Sequence, residues 1–172
     1  YPGPRCSPTV DGRLLYALGL NGDLVCLDVD NGKRVWRKAR GKDFKGQPGG
    51  WGYCESPLID GDRVLCTPGA RDATLVALNK KTGEVIWKGA APQGDGAAYS
   101  SIIIAEVDGK KQYIQFLNGG VAGFSDEGKF LWRYNRPANG TANISTPVYH
   151  DGHVFAASGY GTGGGLVKLS RD

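Results

Sequence analysis

The chain contains no methionine, two histidines, and no cysteines that are adjacent or spaced Cys-x-x-Cys. Each absence removes a class of reading. With only His150 and His153 beside four scattered cysteines, Cys6, Cys26, Cys54 and Cys66, no zinc signature can be assembled. The cysteines read mainly as small core hydrophobes, with one disulfide left possible. The longest apolar run, Ile102-Ile103-Ile104-Ala105, is strand-sized and far short of the roughly 20 residues that span a bilayer, so no membrane span is expected. The opening Tyr1-Pro2-Gly3-Pro4 has neither the basic start nor the apolar stretch of a signal peptide. Without an initiator methionine the chain reads as a trimmed or processed piece, so the missing leader says nothing about export. The net charge of +4 is spread over turns, as at Lys42, Lys45, Lys80-Lys81 and Lys110-Lys111, where a nucleic-acid surface would concentrate it. Lysines so placed keep strand edges soluble.

What is present is a repeat. Asn31-Gly32-Lys33-Arg34-Val35-Trp36, Thr82-Gly83-Glu84-Val85-Ile86-Trp87 and Glu127-Gly128-Lys129-Phe130-Leu131-Trp132 each set a tryptophan four positions past a glycine, at intervals of 51 and 45 residues. A second element falls into the same register. Ser7-Pro8-Thr9-Val10-Asp11-Gly12 matches Ser56-Pro57-Leu58-Ile59-Asp60-Gly61 and Thr146-Pro147-Val148-Tyr149-His150-Asp151-Gly152, and Ser101-Ile102-Ile103-Ile104 supplies the remaining copy with isoleucine in place of proline. Units therefore begin near residues 7, 56, 101 and 146, a period typical of propeller blades.

Glycine turns cut each unit into four short runs of β-branched, aromatic or alternating apolar residues. In the second unit these are residues 57–59, 63–67, 74–78 and 85–87. Four antiparallel strands make one blade. The 28 glycines and the lack of any helical apolar period exclude long helices. The expectation is an all-β fold: a partial β-propeller of four-stranded antiparallel blades over 1–172, with about four blades, the last incomplete. Trp36, Trp87 and Trp132 are expected to end each fourth strand and dock one blade on the next, so that truncation to alanine costs about 3–5 kcal/mol. Asp11, Asp60, Asp108 and Asp151 take one repeated position and read as turn formers.

Val25-Cys26-Leu27-Asp28 leading to Trp36, Val76-Ala77-Leu78-Asn79 leading to Trp87, and the degenerate Val121-Ala122-Gly123-Phe124-Ser125-Asp126 leading to Trp132 resemble the repeat of pyrroloquinoline-quinone-type propellers. The resemblance covers almost the whole chain. That family includes eight-bladed quinoprotein dehydrogenases and also non-enzymatic outer-membrane assembly lipoproteins, so the resemblance implies that these blades form part of an eight-bladed ring, implies an address in the periplasm or at the cell surface, and leaves the activity open. Its dehydrogenases hold the quinone between a tryptophan and a vicinal cysteine disulfide, bind calcium through Glu and Asn, and use an Asp base. No vicinal cysteine pair occurs here.

Propeller ligands bind at one mouth of the channel, on loops entering the innermost strands. Here those are residues 1–6, 41–55, 90–100 and 137–145. Convergence would bring Arg5, Trp51, Tyr53, Glu55, Tyr99 and Asn143 to one funnel, suited to a peptide segment, a sugar or a flat cofactor. The alternative for these residues is to hydrogen-bond neighbouring blades and close the funnel. Glu55 and Asn143 suit a hard cation but fall short of the six or more oxygens calcium takes. The run Gly159-Tyr160-Gly161-Thr162-Gly163-Gly164-Gly165 continues into a strand and not into a phosphate-cradling helix, so it reads as a hairpin. His150 and His153 flank a turn, read as solvent-facing, and have no nucleophile elbow to serve.

The reading that results is a non-catalytic binding or scaffolding propeller without cofactor. Its partner is a protein, or the remaining half of the propeller, with room for a small ligand at the funnel. A quinone-dependent oxidoreductase with calcium, its catalytic residues in other blades, is the first alternative. Carbohydrate recognition by Trp51, Tyr53 and Tyr99 is the second.

Overall fold

The structure, a computed structural model, describes residues 3–170. Period-two apolar alternation broken by left-handed glycines gives four antiparallel meanders. Blade 1 is β1 (Thr9–Asp11), β2 (Leu14–Leu18), β3 (Asp23–Asp28) and β4 (Arg34–Ala39). Blade 2 is β5 (Leu58–Asp60), β6 (Arg63–Cys66), β7 (Leu75–Asn79) and β8 (Val85–Gly89), and blade 3 is β9 (Ile103–Val107), β10 (Lys110–Leu117), β11 (Gly120–Ser125) and β12 (Phe130–Tyr134). Blade 4 has three strands among the described residues, β13 (Val148–His150), β14 (His153–Ser158) and β15 (Gly163–Lys168). The fold is an open run of propeller blades. One turn of helix, α1 (Arg40–Phe44), interrupts the stretch 41–55 that the sequence presents as loop, with the Asp43 carboxylate accepting the Ala39 N–H at 2.8 Å.

Cross-strand register repeats from blade to blade. Thr9, Tyr16, Cys26 and Trp36 lie opposite one another across blade 1. Leu58, Leu65, Ala77 and Trp87 do so across blade 2, and Ile103, Ile114, Gly123 and Trp132 across blade 3. The tryptophans thus sit within their strands, not at the ends: β4 continues past Trp36 because Arg37 and Lys38 still pair with Val25 and Leu24. Each row packs on the following blade, and three apolar clusters fill the three interfaces.

The glycines four residues before Trp87 and Trp132 have a second function. A Cβ on Gly83 would lie 2.8 Å from the Trp36 ring, and one on Gly128 would lie 2.4 Å from the Trp87 ring. The Trp36 and Trp87 indoles are each seated on the next blade's glycine turn. Hydroxyls stitch the same interfaces. The Ser7 N–H donates to Ser56 Oγ at 3.0 Å, Ser56 N–H to Ser101 Oγ at 2.9 Å, and Ser101 N–H to Thr146 Oγ1 at 3.1 Å. The repeated Ser/Thr that marks the start of a unit is therefore a blade-to-blade acceptor.

The four aspartates do not share one role. Asp108 and Asp151 have left-handed φ and, with Gly109 and Gly152, form the two-residue turns themselves. In blades 1 and 2 the turn starts one residue later, on Gly12 and Gly61, leaving Asp11 and Asp60 as the last residues of their strands. They reach the next blade: Asp11 pairs with Lys80 at 2.6 Å, and Asp60 with Lys111 at 2.7 Å and the Tyr113 hydroxyl at 2.6 Å. A two-residue hairpin accepts Gly first or Asp-Gly, and the dipeptide alone does not say which.

Burial pushes the Asp60 carboxyl upward, but the hydrogen bonds from Lys111 and Tyr113 outweigh it, so its pKa lies below the ordinary 3.8. A depressed folded pKa stabilises above the unfolded value and is lost as pH falls through the folded one. Acid titration followed by tryptophan fluorescence should show wild type losing stability below about pH 4. Asp60→Asn should be less stable at neutral pH and flatter across that window.

All four cysteines are free thiols, Cys26 and Cys66 buried, Cys6 and Cys54 half-buried, so the disulfide the sequence left possible is not made. Burial raises the Cys66 thiol to about 11 and also raises Cys26. His150 is exposed, whereas His153 is half-buried with Nδ1 2.7 Å from the Asp151 carbonyl oxygen.

Candidate functional site

Four segments meet at one mouth of the stack: the opening around Arg5, the loop after α1, the loop carrying Tyr99, and residues 142–144 with the tip of the β14–β15 hairpin. They enclose a cavity of about 350 Å³ lined by Arg5, Trp51, Cys54, Tyr99, Ala142, Ile144 and Tyr160, mostly through apolar atoms. The Arg5 guanidinium donates to the Trp51 carbonyl at 2.7 Å, and the Trp51 N–H donates to the Tyr99 hydroxyl at 3.4 Å. The two rings meet edge to face with centroids 5.7 Å apart. Tyr99 is itself buried, while Trp51, Ile144 and Tyr160 are exposed, at 45%, 58% and 66%. Tyr160 occupies a left-handed position, φ 57°, which aims its side chain from a tip otherwise made of glycine and threonine.

Arg5, Trp51 and Tyr99 therefore come together on this cavity, and Tyr53, Glu55 and Asn143 do not. These three are buried beneath it. The Glu55 carboxylate forms an ion pair with the fully buried Arg40 guanidinium and accepts the Thr67 N–H at 2.6 Å and the Gln115 amide at 3.2 Å. The Arg40–Glu55 contact is an ion pair, and Arg40 Nε has no hydrogen-bond partner among the described residues. Arg40 Nη1 donates to the Thr67 carbonyl at 3.2 Å, and its guanidinium lies 4.9 Å over the Tyr53 ring. Burial pushes the guanidinium pKa down, but the neighbouring carboxylate outweighs it and holds Arg40 above its ordinary value. Gln115 carries the network into blade 3, donating to Thr67 Oγ1 at 2.8 Å and the Ser100 carbonyl at 3.1 Å. Tyr53 donates its hydroxyl to the Pro68 carbonyl at 2.9 Å, and burial raises it to about 12. The Asn143 amide donates to the Leu117 and Asn118 carbonyls and accepts the Asn139 N–H.

These commitments decide two fits. Calcium at Glu55 and Asn143 does not suit this chain, because the oxygens it would need already accept from Arg40, Thr67, Gln115 and Asn139. The carbohydrate platform loses two of its three rings, since Tyr53 and Tyr99 are buried. Sequence reasoning missed Arg40, Ile144 and Tyr160. An aliphatic or aromatic residue isolated between glycines, asparagines and serines was the available signal for the last two.

Fold and site define a class, an open β-propeller of four-stranded blades with an apolar cavity at its mouth and a buried ionic network below. The chain belongs to the outer membrane protein assembly factor BamB family, whose model matches residues 2–171. It is 26% identical over 160 residues to the assembly factor BamB of Kangiella koreensis, covering 90% of this chain and 35% of that protein. It is 30% identical over 118 residues to a quinoprotein ethanol dehydrogenase of Pseudomonas aeruginosa, covering 68% of this chain and 19% of that enzyme. The crystal structure of BamB from Moraxella catarrhalis superposes with a TM-score of 0.55 at 18% identity, over 88% of this chain and 39% of that one, a likeness of fold. The chain thus spans about a third of the length of its curated BamB relative.

Proposed function

We propose that this chain is part of a non-catalytic propeller that acts outside the cytoplasm, in the periplasm or at the cell surface, as a scaffold for a protein partner in outer-membrane protein assembly. One observation carries the reading. The mouth offers a partner exposed apolar side chains around a cavity the size of one or two residues, while the polar groups a cofactor would use are locked inside. Clustered aromatics over a preformed apolar pocket are where binding energy concentrates at protein interfaces. The relatives named as assembly factors support the same direction. The blades present fit a larger ring, of eight blades, in which this mouth forms part of a wider rim.

Trp51→Ser with Tyr160→Ser in the protein should lower its binding to the purified outer-membrane assembly machinery by about 30-fold or more, the effect of losing a hot spot. The melting transition should hardly move, since both side chains are exposed. Unchanged binding by a folded double variant would remove the funnel mouth from the function.

A further inference from the structure

Positive charge, spread thinly elsewhere, is concentrated in one segment. Residues 33–45 hold seven of the chain's 21 lysines and arginines and one of its 17 acids. The repeat does not demand this, since the equivalent residues 84–96 of blade 2 hold one cation and 129–141 of blade 3 hold three. Two of the seven are committed, Arg37 to Asp23 at 2.6 Å and the buried Arg40 to Glu55.

At the junction of blades 1 and 2 this segment meets cations of blade 2 around a two-lobed cleft. One lobe, of about 410 Å³, lies between α1 and the β6–β7 loop and is lined by Lys45, Gln47, Arg71 and Lys88 together with Asp43 and Phe44. The second, of about 430 Å³, shares Gln47 and Arg71 and runs on over residues 93–96. The fold aims each cation. Lys45 ends α1 at a left-handed φ of 57°, where glycine is the cheaper residue. Arg71 stands at the tip of a hairpin closed by Ala70–Ala73 hydrogen bonds of 3.2 and 3.3 Å, and its Cα lies so close to Gly94 that a Cβ there would be 3.1 Å away. Lys88 reaches back from β8 with Nζ 5.4 Å from the centre of the buried Phe44 ring. Among the described residues none of these three cations makes an ion pair. The acids nearby oppose them weakly: Asp43 accepts the Ala39 N–H, Asp95 pairs with Arg133 at 2.8 Å, and Asp72 stands exposed at the hairpin tip.

We infer that this cleft binds an acidic segment of a protein partner in extended form, its carboxylates facing Lys45, Arg71 and Lys88 and its backbone passing Gln47. Three cations brought by three separate elements to an elongated cleft match several carboxylates along a chain, whereas one phosphate would need its donors converged on a point. A flat anionic bilayer cannot enter a cleft. Complementary charge of this kind steers encounter and fixes register. The site shares no lining residue with the funnel cavity, so it stands independently of that reading.

The test is fluorescence anisotropy with a labelled eight-residue peptide of alternating glutamate and serine at low salt. The protein should bind it saturably, and Lys45→Glu, Arg71→Glu and Lys88→Glu together should weaken binding about 30-fold or more. All three side chains are exposed, so the melting transition should hardly move. Lys33→Glu, Arg34→Glu and Lys110→Glu remove the same charge outside the cleft, and together should cost less than about threefold. Trp51→Ser with Tyr160→Ser should leave the peptide's affinity unchanged. Absence of saturable binding, or equal losses from the two charge-reversal triples, would overturn the assignment. So would full competition by millimolar inorganic phosphate, or binding to phosphatidylglycerol vesicles that the cleft triple abolishes, because the ligand would then be a phosphoryl group or a membrane surface.

Discussion

Arg40→Leu should destabilise the protein by about 3–5 kcal/mol, because it leaves the Glu55 carboxylate buried without its counter-charge. The guanidinium is fully buried, and Glu55 is 3% exposed, so solvent cannot take its place. Glu55 would keep the Thr67 N–H and the Gln115 amide, which are not enough to hold an anion in that site. Arg40→Leu with Glu55→Leu removes both charges together, and much of the loss should return, since an apolar pair of similar volume replaces a buried ion pair at little cost. Urea denaturation of the two singles and the double measures the coupling. A single variant losing under about 1 kcal/mol would show that water reaches the pair.

Gly128→Ala should be the most damaging of the substitutions at the three glycines that precede the tryptophans. Its φ of +83° is left-handed, which costs an alanine about 1–2 kcal/mol, and the new Cβ would meet the Trp87 ring at 2.4 Å, adding roughly 1–3 kcal/mol of overpacking. Gly32→Ala shares the left-handed backbone, φ +68°, but meets nothing within 4 Å, so it should cost only the conformational part. The difference between the two, read from thermal or urea unfolding, is the energetic signature of the indole seat. In a Trp87→Ala background, itself about 3–5 kcal/mol less stable, Gly128→Ala should fall towards the Gly32→Ala value. Equal costs at the two glycines in wild type would mean that the indole yields freely and does not lock the blades.

That pair of glycines also shows why so much of the fold was legible. The tryptophan, its glycine seat and the Ser/Thr acceptor all belong to short motifs that recur because each interface needs them once, so register in sequence becomes register in space. The first strand of each blade begins two residues after Ser7, Ser56, Ser101 and Thr146. The aspartates were read less well, because Gly-first and Asp-Gly hairpins differ by one residue that composition does not mark.

The mouth was only half legible, for a different reason. Loop membership placed Arg5, Trp51 and Tyr99 at the cavity. It could not tell that Glu55 turns inward, because that depends on Arg40, the first residue of α1, whose burial nothing in its neighbours announces. Asn143 turns inward for the same kind of reason, committed to carbonyls about 25 residues away.

Occupation of the funnel cavity by a partner can be read most directly from Cys54, a half-buried thiol on its wall. In a Cys6→Ser background, with Cys26 and Cys66 shielded in the core, iodoacetamide should modify Cys54 alone. Saturating outer-membrane assembly machinery should slow that reaction about tenfold or more, and Trp51→Ser with Tyr160→Ser should restore it. A rate unaffected by a partner that demonstrably binds would place the binding surface elsewhere on the propeller.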